Sequence, residues 1–453
     1  MTGRSPPAAD GRLLFGLLSL LLALSLVMHQ LWWEGFEVRS LHFVVILGAL
    51  WAAARPTSVP RFLAMLGAEV VSVTLDMPGV GSHMLLLGVC GACVLAYAAA
   101  VAVPARRLPD AGVLFAGIAP FLRVSVLVLY VAAALAKMNG GFFDSAVSCA
   151  GPLTAQIAWF DPALLGASWL ELPAIWGTVI IEAALPVLLA VRRTRMVGVL
   201  LGTGFHLVLA FAGNVPFSSL MLALYVAFLP LDAPSRVRAV VARRPWAPRP
   251  GWVAPLAFVA AVAAWLLGAA LAPGETSFSS PWIATGTRLA FAGVVLALAG
   301  TGLAARRVPS RPAGHAPRSA RLGHPIFAAG VLVLVFNAMS PYLGLKTESS
   351  FAMFSNLHTE AGYWNHAFIP EAVRVFGYQD ELVSVTASND PVLVRRSRDG
   401  ARLVRFELER YLRLNPGARV RTAPAIGAVE PGLGVIDRIA KFRDVRAPER
   451  IGC

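Results

Sequence analysis

Residues 111–137 read AGVLFAGIAPFLRVSVLVLYVAAALAK, and the reading of this stretch decides the fold. From Ala111 to Ala136 the only charge is Arg123, and Lys137 closes the run. The run exceeds the ~20 apolar residues needed to cross a bilayer core, so it reads as a spanning helix. An ionised side chain in hydrocarbon is costly and marks a functional site by default. Arg123, Tyr130 and Lys137 stand seven residues apart. That step drifts only ~20° around a helix, so the three project from nearly one face. The stripe they form is about 21 Å long at 1.5 Å per residue. It must face a protein interior or a water-filled cavity rather than lipid.

The rest of the chain agrees with a membrane setting. Its 453 residues are 57% hydrophobic and 14% charged, with a mean hydropathy of +0.67. A soluble domain carries about 25% charge. The net charge of +14 would suit nucleic acid if it were clustered on one surface. Instead the basic residues sit in short loops: Arg4 and Arg12; Arg55 and Arg61; Arg106 and Arg107; Arg192, Arg193 and Arg195; then 236–249 and 306–321. The loops between are acidic or neutral, with Glu34 and Glu37 beside a lone Arg39, then Asp76, the segment 144–171 and Glu275. That alternation is the positive-inside pattern. The charge therefore reads as topology, with the lipid bilayer as partner and no nucleic acid. Leu13–Trp33 is too long for a signal-peptide core and reads as an uncleaved first span.

Apolar runs place spans at 13–33, 41–54, 61–76, 83–103, 111–136, 173–191, 197–213, 216–231, 251–272, 283–303 and 324–344. The second and third are short, and 61–76 carries Glu69, so the count expected is about nine to eleven. With residues 1–12 cytoplasmic, every multiply basic loop falls inside. The inner linkers are 232–250 and 304–323, and residues 345–453 are delivered outside. The outer segment 137–172, with Trp159, Phe160, Trp169 and Trp176, suits an interfacial or re-entrant piece. In the tail, Leu382–Thr386, Val392–Arg396 and Leu403–Phe406 read as strands, with a hairpin turn at Asp399-Gly400. Glu407–Leu414 reads as a helix stopped by Asn415-Pro416-Gly417. The fold expected is an all-α polytopic transmembrane helical bundle (13–344) in the plasma membrane, with a small C-terminal α+β or β-rich extracytoplasmic domain (345–453).

Among residues that could carry chemistry, Lys137 is either a snorkelling interfacial lysine or a base whose desolvated amine is neutral near pH 7. Arg123 cannot deprotonate and needs a buried partner. Glu182, on the next span, is the natural one, in a pair that is structural or functional. His206, in GFHLVLAF, and His83, after LDMPGVGS, are expected at the outer-leaflet depth of Lys137, although each alone is an ordinary histidine. No spacing resembles a metal site, so no metal is expected. The CGAC at Cys90–Cys93 reads as small-residue helix packing rather than a redox pair. Cys149 and Cys453 share a compartment that permits a disulfide.

The segment RVSVLVLYVAAALAKMN resembles one in the vitamin K-dependent γ-glutamyl carboxylases, which runs Arg, Tyr, Ala and Lys. The match is Arg123, Tyr130, Ala133 and Lys137. In the family's order follow an intramembrane acid (Glu182), an Arg corner (Arg195), a Phe-His (Phe205-His206) and NVPFSSLML. GSHMLLL places His83 at the family's histidine. More closely, the whole resembles the bacterial HTTM (carboxylase-like transmembrane) proteins, through NAMSPYLGLKTESSFAMFSNLHTE and Asn365-His366. The resemblance covers most of 13–231 and about 335–370. It implies a quinone-coupled carboxylase-like enzyme with an outward-facing site: Lys137 as the base acting on a reduced naphthoquinone, His83 as stabiliser of a glutamyl carbanion. His206, Arg123 and Glu182 would be core polar residues. A hydrophobic quinone and a secreted peptide or protein substrate would be the partners. Asn139 stands where the family has an acid, and Ala136 where it has a first lysine. The animal enzymes' Trp-Arg-Met-Met is Phe351-Ala352-Met353-Phe354. Substrate docking is therefore not inherited. The alternative is a non-catalytic scaffold, or a lipid or small-molecule transporter, on the same bundle.

Overall fold

The computed structural model describes residues 6–34, 40–159, 168–241, 322–429, 432 and 434–445, together with 288, 291–293, 295 and 300. The expected spans 251–272 and 283–303 lie almost wholly outside these residues, as do the linker 304–323 and Cys453.

Each remaining apolar run is a helix. They are α1 (Pro6–Glu34), α2 (Ser40–Ala54), α3 (Val59–Asp76), α4 (Ser82–Ala105), α5 (Ala111–Ala136), α8 (Ser168–Ala190), α9 (Arg195–Phe211), α10 (Val215–Tyr225) and α12 (Pro325–Met339). Two short helices, α6 (Gly140–Phe143) and α7 (Ala150–Ala155), fill part of the segment after Lys137, and α11 (Ala233–Val241) follows α10. Among the described residues, four helices are long and apolar enough to cross a membrane: Ala9–Gln30, Ser82–Ala105, Ala111–Ala136 and Trp169–Ala190. A fifth results if Val215–Phe228 and Ala233–Ala239, bent by 97°, count as one. α2, α9 and α12 are apolar but shorter, and α3 carries Arg61, Glu69 and Asp76 in its 18 residues. The expected nine to eleven spans include two outside the described residues, and the short helices α2, α9 and α12 carry exposed apolar side chains, among them Trp51, Val208 and Leu332, that suit lipid despite their length.

α1 is the central helix, packed against α2, α5 and α10, while α5 also packs on α8 and α12. Close approach depends on small residues. Gly88 and Gly91 of α4 let Val73 and Val70 of α3 lie within 3.0 Å of where a Cβ would stand. Cys90 and Cys93 are free thiols on that same packed helix, and Cys93 lies against Gly330 of α12. Phe43, Leu47 and Trp51 on α2, with Trp176, Ile180 and Val187 on α8, form exposed apolar flanks.

The tail holds a three-stranded antiparallel sheet in the order β2-β1-β3, with β1 Leu382–Ser388, β2 Arg402–Val404 and β3 Val420–Ala423. Leu382 pairs with Val404 and Ser384 with Ala423. One expected strand is wrong: Val392–Arg396 lies in helix α13 (Pro391–Arg398). Asp390 accepts hydrogen bonds from Val392 N at 2.9 Å and Leu393 N at 3.1 Å, and Pro391 stands at the first helical position. This capping overrides the strand preference of the valines. Asp399-Gly400 is accordingly the end of α13 rather than a hairpin turn, with Gly400 at φ +66°. Helix α14 (Arg405–Leu414) covers the expected 407–414, and β3 had not been expected. Val383, Val385, Leu393, Leu403, Leu408 and Leu412 form the core of this domain.

Between bundle and tail runs a buried, irregular segment, 340–370. It is tied to the turn before α4 by Ser349 Oγ donating to Val80 O, and to the tail by Thr347 N donating to Lys441 O at 3.1 Å. It therefore caps the end of the bundle at which α3 and α5 finish and α4 begins.

Candidate functional site

The end of α5 places Lys137 as its C-terminal cap residue, 4% exposed. Its Nζ lies 2.8 Å from Glu182 Oε2, an approach that is an ion pair without the alignment of a hydrogen bond. A weaker contact at 3.5 Å reaches Ala133 O, and the ring of Phe142 lies 5.7 Å away. The expected Arg123–Glu182 pair is thus replaced. α8 begins beyond the end of α5, where Ile175 and Val179 pack against Phe142. Glu182, less than one turn further along, comes level with Lys137 and not with Arg123 four turns away. Arg123 instead donates from Nε to Ala227 O at 2.6 Å, at the frayed end of α10.

Beside the ion pair is a partly enclosed cavity of ≈ 60 Å³, room for about four waters at ~15 Å³ each. Lys137, Glu182, Tyr130, Thr178 and Asn214 supply its polar groups. The walls are apolar, with Phe142, Phe205, Phe217, Phe351 and Phe354 prominent. Phe351, Met353 and Phe354 come from segment 340–370, so that segment forms one wall. Ser349, Phe351, Phe354 and Asn356 there take positive φ, between 50° and 64°. Four non-glycine residues in the left-handed region within eight positions are held by their surroundings at a cost of roughly 1–3 kcal/mol each. The Asn356 side chain is one such tether, accepting from Cys149 N and donating to Val147 O, each at 2.8 Å. Cys149 is itself disulfide-bonded.

Behind the cavity wall is a hydrogen-bonded row. Tyr130 Oη lies 2.6 Å from His206 Nε2 and makes a short hydrogen bond to Tyr225 Oη. Gly202 leaves no room for a Cβ beside the Tyr225 hydroxyl, so the glycine is what admits it. Tyr225 had not been singled out: a tyrosine in ALYVAF has no local signal, and its partner is 95 residues away.

His83 does not join this group. Its Nε2 lies 3.1 Å from Nδ1 of His29, and Phe217 separates it from His206, with ring centroids at 5.7 and 5.0 Å. Lys137, His206 and His83 share one end of the bundle, but only Lys137 lines the cavity. Helical depth was legible from spacing; the azimuth that puts Phe217 between the histidines was not. Asn139 is a structural junction. Its Nδ2 donates to Ala136 O and Ser355 O at 2.8 and 2.7 Å, and its Oδ1 accepts from Phe142 N at 2.9 Å. With its polar atoms engaged in this way, it joins α6 to segment 340–370 and does not reach into the cavity.

Outside the helices, burial pushes the His366 imidazole below its ordinary range, against a hydrogen bond from Nε2 to Leu135 O at 2.9 Å. Nδ1 accepts from Phe368 N and Ile369 N, so the ring is neutral with its proton on Nε2. Burial pushes the Glu360 carboxyl up, but His358 and Arg443 outweigh it and hold the group below the usual range. No cluster of His, Cys, Asp or Glu among the described residues has the arrangement of a metal site.

The class defined by fold and site is a helical bundle with apolar spans and a buried ion pair opening on an aromatic cavity. No family model, curated protein or solved structure matches this chain.

Proposed function

We propose that the protein is a plasma-membrane enzyme of the carboxylase-like class, working on a reduced naphthoquinone or a related hydroxylated apolar ring at a site facing away from the cytoplasm. The observation that carries this reading is the Lys137–Glu182 ion pair bared to a partly enclosed, phenylalanine-walled cavity. A structural ion pair gains nothing from a hollow beside it. The lining suits a ring carrying an acidic hydroxyl, with aromatic faces for the ring and a cation and a proton acceptor side by side for the hydroxyl, and the ≈ 60 Å³ hollow would have to widen to admit a whole naphthoquinol. Such a quinol, when bound, would supply the reducing equivalents and, with oxygen, the strong base that carboxylation needs.

The chain's own residues would bind and orient the ring, exclude water, and manage one proton. The ion pair refines the part given to Lys137. An amine held against a carboxylate is not a free base; the Glu182 carboxylate is the proton acceptor, and the Lys137 ammonium holds the negative charge left opposite it. Tyr130, hydrogen-bonded to His206, would fix the cavity wall that the ring meets. His83 is shielded by Phe217 and takes no direct part. The N-terminus would be cytoplasmic and the C-terminal domain extracytoplasmic, where a secreted peptide or protein could reach the cavity end.

The test is incubation of membranes with reduced naphthoquinone and labelled carbon dioxide. Turnover by the wild type and its loss in Lys137→Ala and Glu182→Gln are expected. No epoxide and no label in the wild type, or equal turnover in the variants, would remove the reading. The transporter alternative gains little from the 97° break after Phe228. α11 beyond it is joined to Asp10 of α1 through Arg238 at 2.6 Å, at the end of the bundle opposite the cavity.

A further inference from the structure

A second polar group lies apart from the cavity, on α3. Glu69, Ser72 and Asp76 follow one another at three and four residues, so they share one face of that helix. Exposure falls steadily inward along it. The Asp76 side chain is 28% exposed, Ser72 is 2% and Glu69 is 0%. Glu69 lies seven residues below Asp76, about 10 Å at 1.5 Å per residue. At the mouth, Asp76 Oδ2 accepts from Ser72 Oγ at 3.2 Å and lies 3.1 Å from His42 Nε2 on α2.

Glu69 is the anomaly. Both carboxyl oxygens are buried with no hydrogen-bond partner among the described residues, and His42 Nδ1 is buried in the same condition. A carboxylate in that setting would be an uncompensated charge in an apolar interior, which folded proteins avoid by neutralising the group. A buried carboxyl that nothing satisfies, at the foot of a ladder of proton-exchanging groups, has the chemistry of a proton store. The other titratable groups around it fit. His29 of α1 is within electrostatic reach of His42 and hydrogen-bonded to His83 at the start of α4. The thiols of α4 turn elsewhere, Cys90 to Ser125 of α5 and Cys93 to α12.

We propose that α3 carries a proton-binding site in which Glu69 is the buried acid and Ser72, Asp76 and His42 form its exchange path to the aqueous face at the Asp76 end. On discharge, the Glu69 proton passes to Ser72 Oγ as the Ser72 proton passes to Asp76 Oδ2, and from there to His42 Nε2 or water; recharging reverses these steps. Glu69 and Ser72 have Cβ atoms about 5–6 Å apart, so a rotamer change of the glutamate closes the one gap in the path. The ligand is a proton, and the site is independent of what binds at Lys137.

The experiment uses the full chain in lipid nanodiscs and a lipid-soluble carbodiimide, which adds whole to a protonated carboxyl, with the adduct located by peptide mass spectrometry. Glu69 is expected to be labelled across pH values of about 5 to 8, above the range in which an ordinary glutamate is protonated. Deuterium exchange of its carbonyl band in the infrared is expected to slow on the order of a hundredfold in Ser72→Ala, the loss typical when a positioned proton-transfer group is removed. Absence of a Glu69 adduct in the folded wild type would overturn the proposal. So would protection by sodium ions at constant pH, which would make the ligand a metal cation, or exchange in Ser72→Ala at the wild-type rate. The labelling is read on the unmodified chain, so it does not depend on any variant folding.

Discussion

The Lys137–Glu182 pair of the bundle and two surface pairs of the tail join the same kinds of group in opposite surroundings. Lys137 and Glu182 are 5% and 10% exposed at the side chain, whereas Arg413 and Asp437, in the tail, are 23% and 20% exposed, and Arg405 and Glu381 are 27% and 63% exposed. Distances barely differ, at 2.8, 2.7 and 2.8 Å. What differs is the cost of being charged. In those two tail pairs water already solvates the ions, so closing them contributes little and is screened by salt. In the bundle each ion depends on the other, and an apolar pair of similar volume would serve stability as well or better. A charge pair kept in the more expensive place, next to a cavity, is therefore better explained by chemistry than by stability.

The largest expected effect breaks that contrast at its strong end. Lys137→Met strands Glu182 and should cost about 3–5 kcal/mol of stability, read as a fall in the melting temperature of the purified protein. The double variant Lys137→Met/Glu182→Leu should regain most of that stability while remaining inactive. A single variant no less stable than wild type would place the pair in the same category as those of the tail.

Lys346 sharpens the comparison, because it lies between the two regions. It is 5% exposed, and burial brings its amine from 10.5 down to about 8. The folded protein therefore binds fewer protons than the unfolded chain between these values. Stability should rise with pH from about 8 to 10.5, by on the order of 3 kcal/mol from this residue. The gain is complete above the upper value and lost as pH falls to the lower. Denaturation at several pH values should show the rise, and Lys346→Met should flatten it.

A smaller effect is expected from Tyr130→Phe, which removes the hydroxyl between His206 and Tyr225 and should cost about 1–3 kcal/mol by leaving buried polar groups short of a partner. Turnover should fall with it if that row positions the cavity wall. The least effect is expected from Arg413→Ala, below about 1 kcal/mol and vanishing in high salt. A loss there as large as at Lys137 would show that exposure does not govern these pairs.

The tail also shows where reading by residue type fails. Val392–Arg396 has a strand's composition, but the aspartate and proline just before it make it a helix, and that local cue outweighed the valines. β3 was missed because Val420–Ala423 is short and carries Arg421, so its only strong claim to being a strand is its partner β1, more than 30 residues earlier. Among the described residues of the bundle, helix limits matched the apolar runs to within a few residues, except that α1 and α8 start early, at Pro6 and Ser168, and α10 and α12 stop short, at Tyr225 and Met339.

From residue order alone came the helical class, the stripe of Arg123, Tyr130 and Lys137, and the placing of Lys137, His206 and His83 toward one end of the bundle. These follow from hydrophobicity and from the fixed rise and turn of a helix, both local properties. Only the tertiary structure decided that Glu182 meets Lys137 rather than Arg123, that Phe217 stands between His83 and His206, that Tyr225 completes the row, and that residues 351–354 wall the cavity. Each of these depends on how far one helix is slid and rotated against another. That offset is set by the sum of many side-chain contacts, and no single stretch of chain encodes it.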